Sequence, residues 1–191
     1  MGRNKNFVEE DILDKVIILF QKQGYNSTSP EQLVSFLGLS RSSIYSTFGD
    51  KRELLIKALQ RYRQITKASL DKIIKESNDP LSGIWQIFNM SVDGCYHPEN
   101  PSGCFLVNSI VEFGSEDSEA RQILNDSYTD CRDALCHFLQ LTNRNMSNGS
   151  LQILADYLIN AICGIVISAK AGMNEKQCRN VVEMTLSVLK F

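Results

Sequence analysis

Between Gly38 and Lys51 the chain reads Gly-Leu-Ser-Arg-Ser-Ser-Ile-Tyr-Ser-Thr-Phe-Gly-Asp-Lys. Ser40, Ser42, Ser43, Tyr45, Ser46 and Thr47 crowd hydroxyls onto this stretch, and Arg41 adds a guanidinium. None of these groups is by itself a strong acid, base or activated nucleophile. Their chemistry is recognition. A guanidinium fork matches the two acceptors on a guanine edge, and short hydroxyls serve base edges or phosphate oxygens. Lys51, Arg52, Lys57, Arg61, Arg63 and Lys67 follow directly. A helix that enters the major groove of double-stranded DNA needs these types in this order: a tight turn, a helix start, a row of small polar groups, then cations.

Other chemistry finds little support. His97 and His137 lie in no catalytic motif, and no Gly-x-Ser-x-Gly, phosphate-loop, dinucleotide or His-Glu-x-x-His pattern occurs. His137 follows Cys136 directly, which puts the two on different faces of a helix. The expectation is a protein that is not an enzyme. The six cysteines, Cys95, Cys104, Cys131, Cys136, Cys163 and Cys178, form neither a Cys-x-x-Cys pair nor a Cys/His metal spacing. No metal and no cofactor are expected, and buried reduced thiols are the default. Cys104, just after the Pro101-Ser102-Gly103 turn and at a possible helix start, is the candidate for thiol sensing.

These groups must be positioned by helices. Ile12, Leu13, Val16, Ile17 and Phe20 recur at helical spacing and predict a first helix from about Glu9 to Gln23, closed by Gly24. Ser29, Pro30 and Gln32 form a capping-box pattern that opens a second helix ending at Gly38. Ser40 caps a third, roughly Arg41 to Phe48, with Ile44 and Phe48 as its anchors. Asp50 caps a long fourth helix to about Ser77. Asn78-Asp79-Pro80 marks a boundary. Five more helices are expected at about 81–96, 104–113, 116–143, 148–171 and 175–189, with a Pro-rich loop over 97–103. Strand alternation is lacking, so the fold class is all-α, about nine helices. Residues 1–50 read as a DNA-binding unit, 51–77 as a connecting helix and 78–191 as a second domain. Gly2-Arg3-Asn4-Lys5 reads as a tail or a minor-groove arm.

The charge is asymmetric. Residues 1–67 hold 11 Lys/Arg and 7 Asp/Glu, and the remainder 9 and 15, within a formal net charge of -2. This points to a polyanionic partner for the N-terminal part alone. No signal-like segment precedes the first helix, and the apolar runs fall short of the roughly 18 residues of a membrane span. The expected location is cytoplasmic, without a membrane partner.

From about Ile12 to Leu59 the chain carries Gly24-Tyr25, Thr28-Ser29, Gly38-Leu39-Ser40, Ile44-Tyr45, Phe48, and Lys51 before Glu53-Leu54-Leu55. This ordered set resembles the tetracycline-repressor (TetR) family of bacterial transcription regulators. The resemblance implies a two-domain, all-α homodimer whose third helix reads operator DNA and whose C-terminal domain binds a small effector that lowers operator affinity. It implies phosphate contacts for Thr28 and Ser29, base or phosphate contacts for Arg41, Ser42 and Ser43, a phosphate-binding Tyr45, and a Lys51 that reaches the DNA backbone. Ser46 and Thr47 depart from the His or aromatic residues common there in the family.

In the body, Ala161, Gly164, Ser168 and Gly172 form a small-residue stripe beside Leu158 and Ile165. With Val181 and Val188 of the last helix, this is the expected dimer face. Asn89, Asn108, Glu112 and Asn160, beside Trp85, Phe88, Phe105, Tyr128 and Tyr157, suggest an effector pocket between the fifth and eighth helices. The same residues also read as satisfied core groups. A protein-interaction adaptor with a vestigial helix-turn-helix, and a thiol-based redox or electrophile sensor, are the alternative functions.

Overall fold

A computed structural model describes residues 7–97, 103–113, 117–187 and 189. Gly2–Lys5, Pro101, Ser102 and Val188 lie outside the described residues. Among those described, nine helices and no strand occur: α1 (Glu9–Gln23), α2 (Pro30–Leu37), α3 (Arg41–Phe48), α4 (Lys51–Glu76), α5 (Pro80–Tyr96), α6 (Phe105–Phe113), α7 (Ser118–Thr142), α8 (Asn148–Lys170) and α9 (Glu175–Ser187).

Local signals set these boundaries. Ser29 Oγ accepts the Gln32 N–H while the Gln32 side chain accepts the Ser29 N–H, closing the capping box that starts α2. Gly38 ends α2 in the left-handed region at φ 66, where a Cβ is strained. Asp50 and Glu53 form a second reciprocal box at the start of α4. The two boxes bracket α3 and set its entry and exit.

Two apolar clusters form the core. The first joins α1, α2, α3 and the start of α4 through Val16, Phe20, Leu33, Ile44, Phe48, Leu54 and Leu59, and it also takes in Phe105, Ile123 and Leu124 from the body. The second joins α5, α7, α8 and α9 around Ile84, Phe88, Leu135, Phe138 and Leu158. Only Ile44 and Phe48 of α3 are buried. Two such side chains contribute roughly 3–6 kcal/mol, below the roughly 8–16 kcal/mol of backbone entropy lost on ordering eight residues. α3 is therefore held in place by α2 and α4.

The cations of α4 are not a free basic face. Arg52 makes a fork onto Asp117 at 2.6 and 2.9 Å and reaches Glu119 at 3.0 Å. Arg61 pairs with Asp14 of α1, and Arg63 with Asp126 and Asp130 of α7. Lys67 lies 3.5 Å from Asp130. The Arg52 guanidinium holds the Asp117 carboxyl down at about 2. A carboxylate depressed in this way supports the fold above its ordinary range and loses that contribution only as pH falls towards 2, so the link persists across physiological pH. Arg52, Arg63 and Lys67 thus pair between the halves and Arg61 within the first, so these four cations are not four further contacts to a polyanion.

α8 qualifies as a membrane span by length and composition, at 23 residues with mean hydropathy 1.7 over its most apolar window. That corrects the expectation of no such segment. Its packing is that of a core helix, with Leu151, Ala155, Leu158, Ile162 and Ile165 buried against the body.

Candidate nucleic-acid interface

α3 presents its hydroxyls outward. Ser42 and Ser46, four residues apart, lie opposite Ile44 and Phe48 and are exposed; Arg41 and Tyr45 flank one side and Thr47 the other. Ser40 Oγ accepts the Ser43 N–H at 3.1 Å and sits 3.1 and 2.8 Å from the Ser42 and Ser43 hydroxyls. The three hydroxyls of Ser40, Ser42 and Ser43 therefore gather with Arg41 around the first turn of α3, whose free N–H groups favour an anion. Ser46 Oγ donates to the Ser43 carbonyl at 3.3 Å, a weak tether. The Arg41 guanidinium lies 5.8 Å from the Tyr45 ring centroid and 3.7 Å from Glu31, and both Arg41 and Glu31 are largely exposed. An exposed pair of this kind is worth roughly 0–1 kcal/mol and is readily exchanged for a base or phosphate.

Thr28 is placed differently from its expected role. It is 1% exposed, donates to the Gly24 carbonyl and accepts from Gln23 Nε2 at 3.0 Å. Its hydroxyl locks the α1–α2 turn and is spent there, so the side chain does not face a phosphate. Ser29 likewise commits its Oγ to the α2 cap, at a partly exposed position.

Lys51 lies with its Nζ 4.3 Å from the centroid of the Tyr25 ring. Burial lowers its pKa and the nearby Glu112 charge opposes that. Glu112, at the end of α6, accepts the Tyr25 N–H at 3.0 Å and the Asn26 N–H at 2.6 Å. It therefore holds the turn beside the interface, not a ligand. This clasp between body and reading unit was not foreseen. Its signal in the sequence is faint, since a carboxylate in the apolar run Phe105–Phe113 says only that some donor must meet it.

The body encloses a cavity of about 240 Å³ bounded by α4, α5, α6, α7 and α8. Of the residues expected to line an effector pocket, Tyr128 does, and so does Cys104, the candidate thiol sensor. Phe88 and Phe105 are core. Asn89 donates to the Trp85 carbonyl and accepts from Arg179, tying α5 to α9. Asn108 accepts from Lys170. Trp85, Tyr157 and Asn160 turn outward, exposed. The lining that sequence reasoning missed comes chiefly from α4, where Tyr62, Thr66 and Ser69 recur at helical spacing beside Ile65 and Leu70, and from the thiols Cys131 and Cys163. Hydroxyls on the inner face of a long helix were the available signal.

Among the expected dimer residues, Leu158 and Ile165 are buried within the chain, whereas Gly164 and Gly172 are exposed and Ala161 and Ser168 half-buried. The exposed seam of α8 runs through Ile153 (73% exposed), Tyr157, Asn160, Gly164 and Ile167 (53%). Val181 and Met184 (72%) extend it on α9.

Comparison with known proteins agrees with this architecture. The family model for bacterial regulatory proteins, tetR family, matches residues 12–58. YezE, an uncharacterised HTH-type transcriptional regulator of Bacillus subtilis (strain 168), is 30% identical over 193 residues, covering 99% of this chain and 100% of that protein. ComR, an HTH-type transcriptional repressor of Escherichia coli (strain K12), is 26% identical, covering 97% and 90%. Among solved structures, the TetR family transcriptional regulator CifR, a cysteine mutant complexed with 26-bp double-stranded operator DNA, superposes with a TM-score of 0.83 at 21% identity, covering 97% of this chain and 98% of that one.

Proposed function

The chain belongs to the tetR family of bacterial regulatory proteins and is a DNA-binding transcriptional regulator, and we propose that it is a cytoplasmic, non-enzymatic homodimeric repressor released from its operator by a small effector held in the body. Residues 1–50 form the reading unit, α4 the connection and residues 78–191 the sensing and dimerising part. Arg41, Ser42, Ser43 and Ser46 meet base edges. Tyr45, Thr47, Lys51 and the backbone at Ser29 and Ser40 meet phosphates.

The observation that carries this reading is the course of α6. Cys104, Leu106, Val107 and Ile110 line the cavity at one side of it, and Glu112 near its far end bonds Tyr25 and Asn26 beside Lys51. An effector that shifts α6 shifts the turn that carries the reading unit. Dimerisation follows from the exposed apolar seam of α8 and α9, because large solvated apolar patches mark interfaces and two half-sites one helical turn apart need two reading units.

The contact assignment is tested by fluorescence anisotropy on a duplex that the protein selects from a random library. Tyr45→Phe is expected to weaken binding about tenfold, as the loss of one phosphate hydrogen bond. Lys51→Ala is expected to reduce the salt slope of log affinity by about 1. Wild-type affinity and slope in both variants remove these two residues from the interface.

A further inference from the structure

The cavity has an unusual lining for a general apolar pocket. Cys104, Cys131 and Cys163 bring three sulfurs to it from the start of α6, from α7 and from α8. Among the described residues that line it there is no Asp, Glu, Lys, Arg or His. The walls are otherwise mostly apolar, with hydroxyl-bearing side chains at Tyr62, Thr66, Ser69, Ser91, Ser127 and Tyr128. Such a lining favours uncharged ligands, since an ionised group would meet no counter-charge among these residues.

The three thiols are not equivalent. Burial, together with the neighbouring Cys104 and Cys163, pushes Cys131 up to about 12, and burial raises Cys163 as well, so both stay protonated at neutral pH. Cys104 is the residue directly before α6, with its carbonyl accepting the Asn108 N–H. Its sulfur accepts a hydrogen bond from the Tyr62 hydroxyl at 3.6 Å. Burial and the adjacent sulfur hold that phenol protonated well above its ordinary range, so it remains a donor. The Cys104 sulfur therefore lies against a fixed donor and faces a cavity whose described lining carries no charge. Among the described residues no group of three or more His, Cys, Asp or Glu is arranged to hold a metal ion, which turns the sulfur cluster away from a metal role.

We propose that the effector is an uncharged, mostly apolar electrophile of the α,β-unsaturated carbonyl class, captured covalently by Cys104. This rests on the reading of the cavity as the effector site. The Cys104 sulfur attacks the β-carbon, and a C–S bond forms as the carbon–carbon π bond breaks. The electron pair passes to the α-carbon, which takes up one proton in place of the one the thiol has lost. Nothing is oxidised or reduced and no co-reactant is needed. Tyr62 positions the sulfur. The adduct grows at the residue directly before α6, about 12 Å along the helix axis from Glu112, which holds Tyr25 and Asn26. Capture at one end thereby loosens the clasp at the other.

Cyclohex-2-enone is the probe, with cyclohexanone as its equal in size that cannot add. The site and rate of addition are read on the free protein by intact mass and peptide mapping, and operator affinity on the selected duplex. The enone is expected to add once per chain, at Cys104, and to lower operator affinity about tenfold or more. Cys104→Ala, folded by its melting curve, should keep its operator affinity in the enone, and Cys163→Ser should still respond. Tyr62→Phe, which keeps the ring and removes only the hydroxyl that meets the sulfur, should slow addition at Cys104 while the melting curve and the operator affinity of the unmodified protein stay in place. Addition spread evenly over several cysteines overturns the proposal. So does a Cys104 adduct that keeps full operator affinity. Release by cyclohexanone as strong as by the enone also overturns covalent capture while leaving the effector cavity standing. If the unmodified protein selects no duplex, it is the regulator reading that fails, and the site of addition still decides the chemistry.

Discussion

Ile153→Glu combined with Ile167→Glu is expected to convert the protein to a folded monomer and to cost operator affinity on the order of 100-fold or more, the avidity lost when two half-sites are no longer engaged together. Both side chains are mostly exposed in the single chain, so charging them leaves the internal packing of α8 on Leu158, Ile162 and Ile165 intact. In the dimer the same positions place like charges across an apolar contact, which is strongly unfavourable. Light scattering reads the mass, and circular dichroism confirms the helical content. A dimer of undiminished stability in the double variant would move the interface elsewhere.

The second large effect is expected at Glu112. Its carboxylate takes two backbone N–H groups of the α1–α2 turn, and charge-assisted bonds of this kind are worth about 1.5–3 kcal/mol each. Glu112→Ala should lower stability by roughly 2–3 kcal/mol in all, because water recovers part of the loss at the exposed Asn26. That corresponds to a melting temperature lower by roughly 4–10 °C for a chain of this size. Its effect on function is the more telling. The turn loses the carboxylate that holds Tyr25, whose ring lies against the Lys51 ammonium. The turn also loses its fixed place on the body. Operator affinity should fall about tenfold, and the remaining binding should respond less to any effector. Glu112→Gln, with one acceptor in place of two, should lie between. An Ala variant that melts lower but keeps full affinity and full response would make Glu112 a purely structural residue.

Much of the fold was legible because its determinants are local. Ser29, Ser40 and Asp50 announce helix starts, and Gly24, Gly38 and Gly49 announce stops. The apolar period of α1 and α4 names the residues that pack. The outward face of α3 was legible for the same reason: with Ile44 and Phe48 inward, Ser42 and Ser46 must point out. Thr28 was misread because its partners, the Gly24 carbonyl and Gln23, are set by the shape of a turn and not by any pattern along the chain.

What failed elsewhere depends on distant partners. The cations of α4 looked available because Asp117, Asp126 and Asp130 lie more than sixty residues away in sequence. On α8 the expected stripe mixed residues of two faces: Gly164 and Gly172 are exposed, whereas Leu158 and Ile165 pack inward, and the exposed apolar line runs through Ile153, Tyr157 and Ile167. One residue is about 100° of helix, and a helix apolar all round gives no period to tell its core side from its partner side. A pocket between α5 and α8 was expected, but most of its lining was missed for a similar reason. A void forms where five helices fail to close, so its lining follows from their mutual packing, and aromatic residues such as Trp85 and Tyr157 that seemed to mark it turn to the surface.

The most direct test of the central claim, that α2 and α3 read operator DNA as one of two copies in a dimer, is an equilibrium titration of the selected duplex against the intact protein over a series of salt concentrations. The expected result is two chains per duplex, with log affinity falling linearly with log salt at a slope of roughly −4 to −8. A scrambled duplex should bind at least about 1,000-fold more weakly, and Arg41→Ala should narrow that gap. One chain per duplex, or equal affinity for the selected and scrambled sequences, would contradict it.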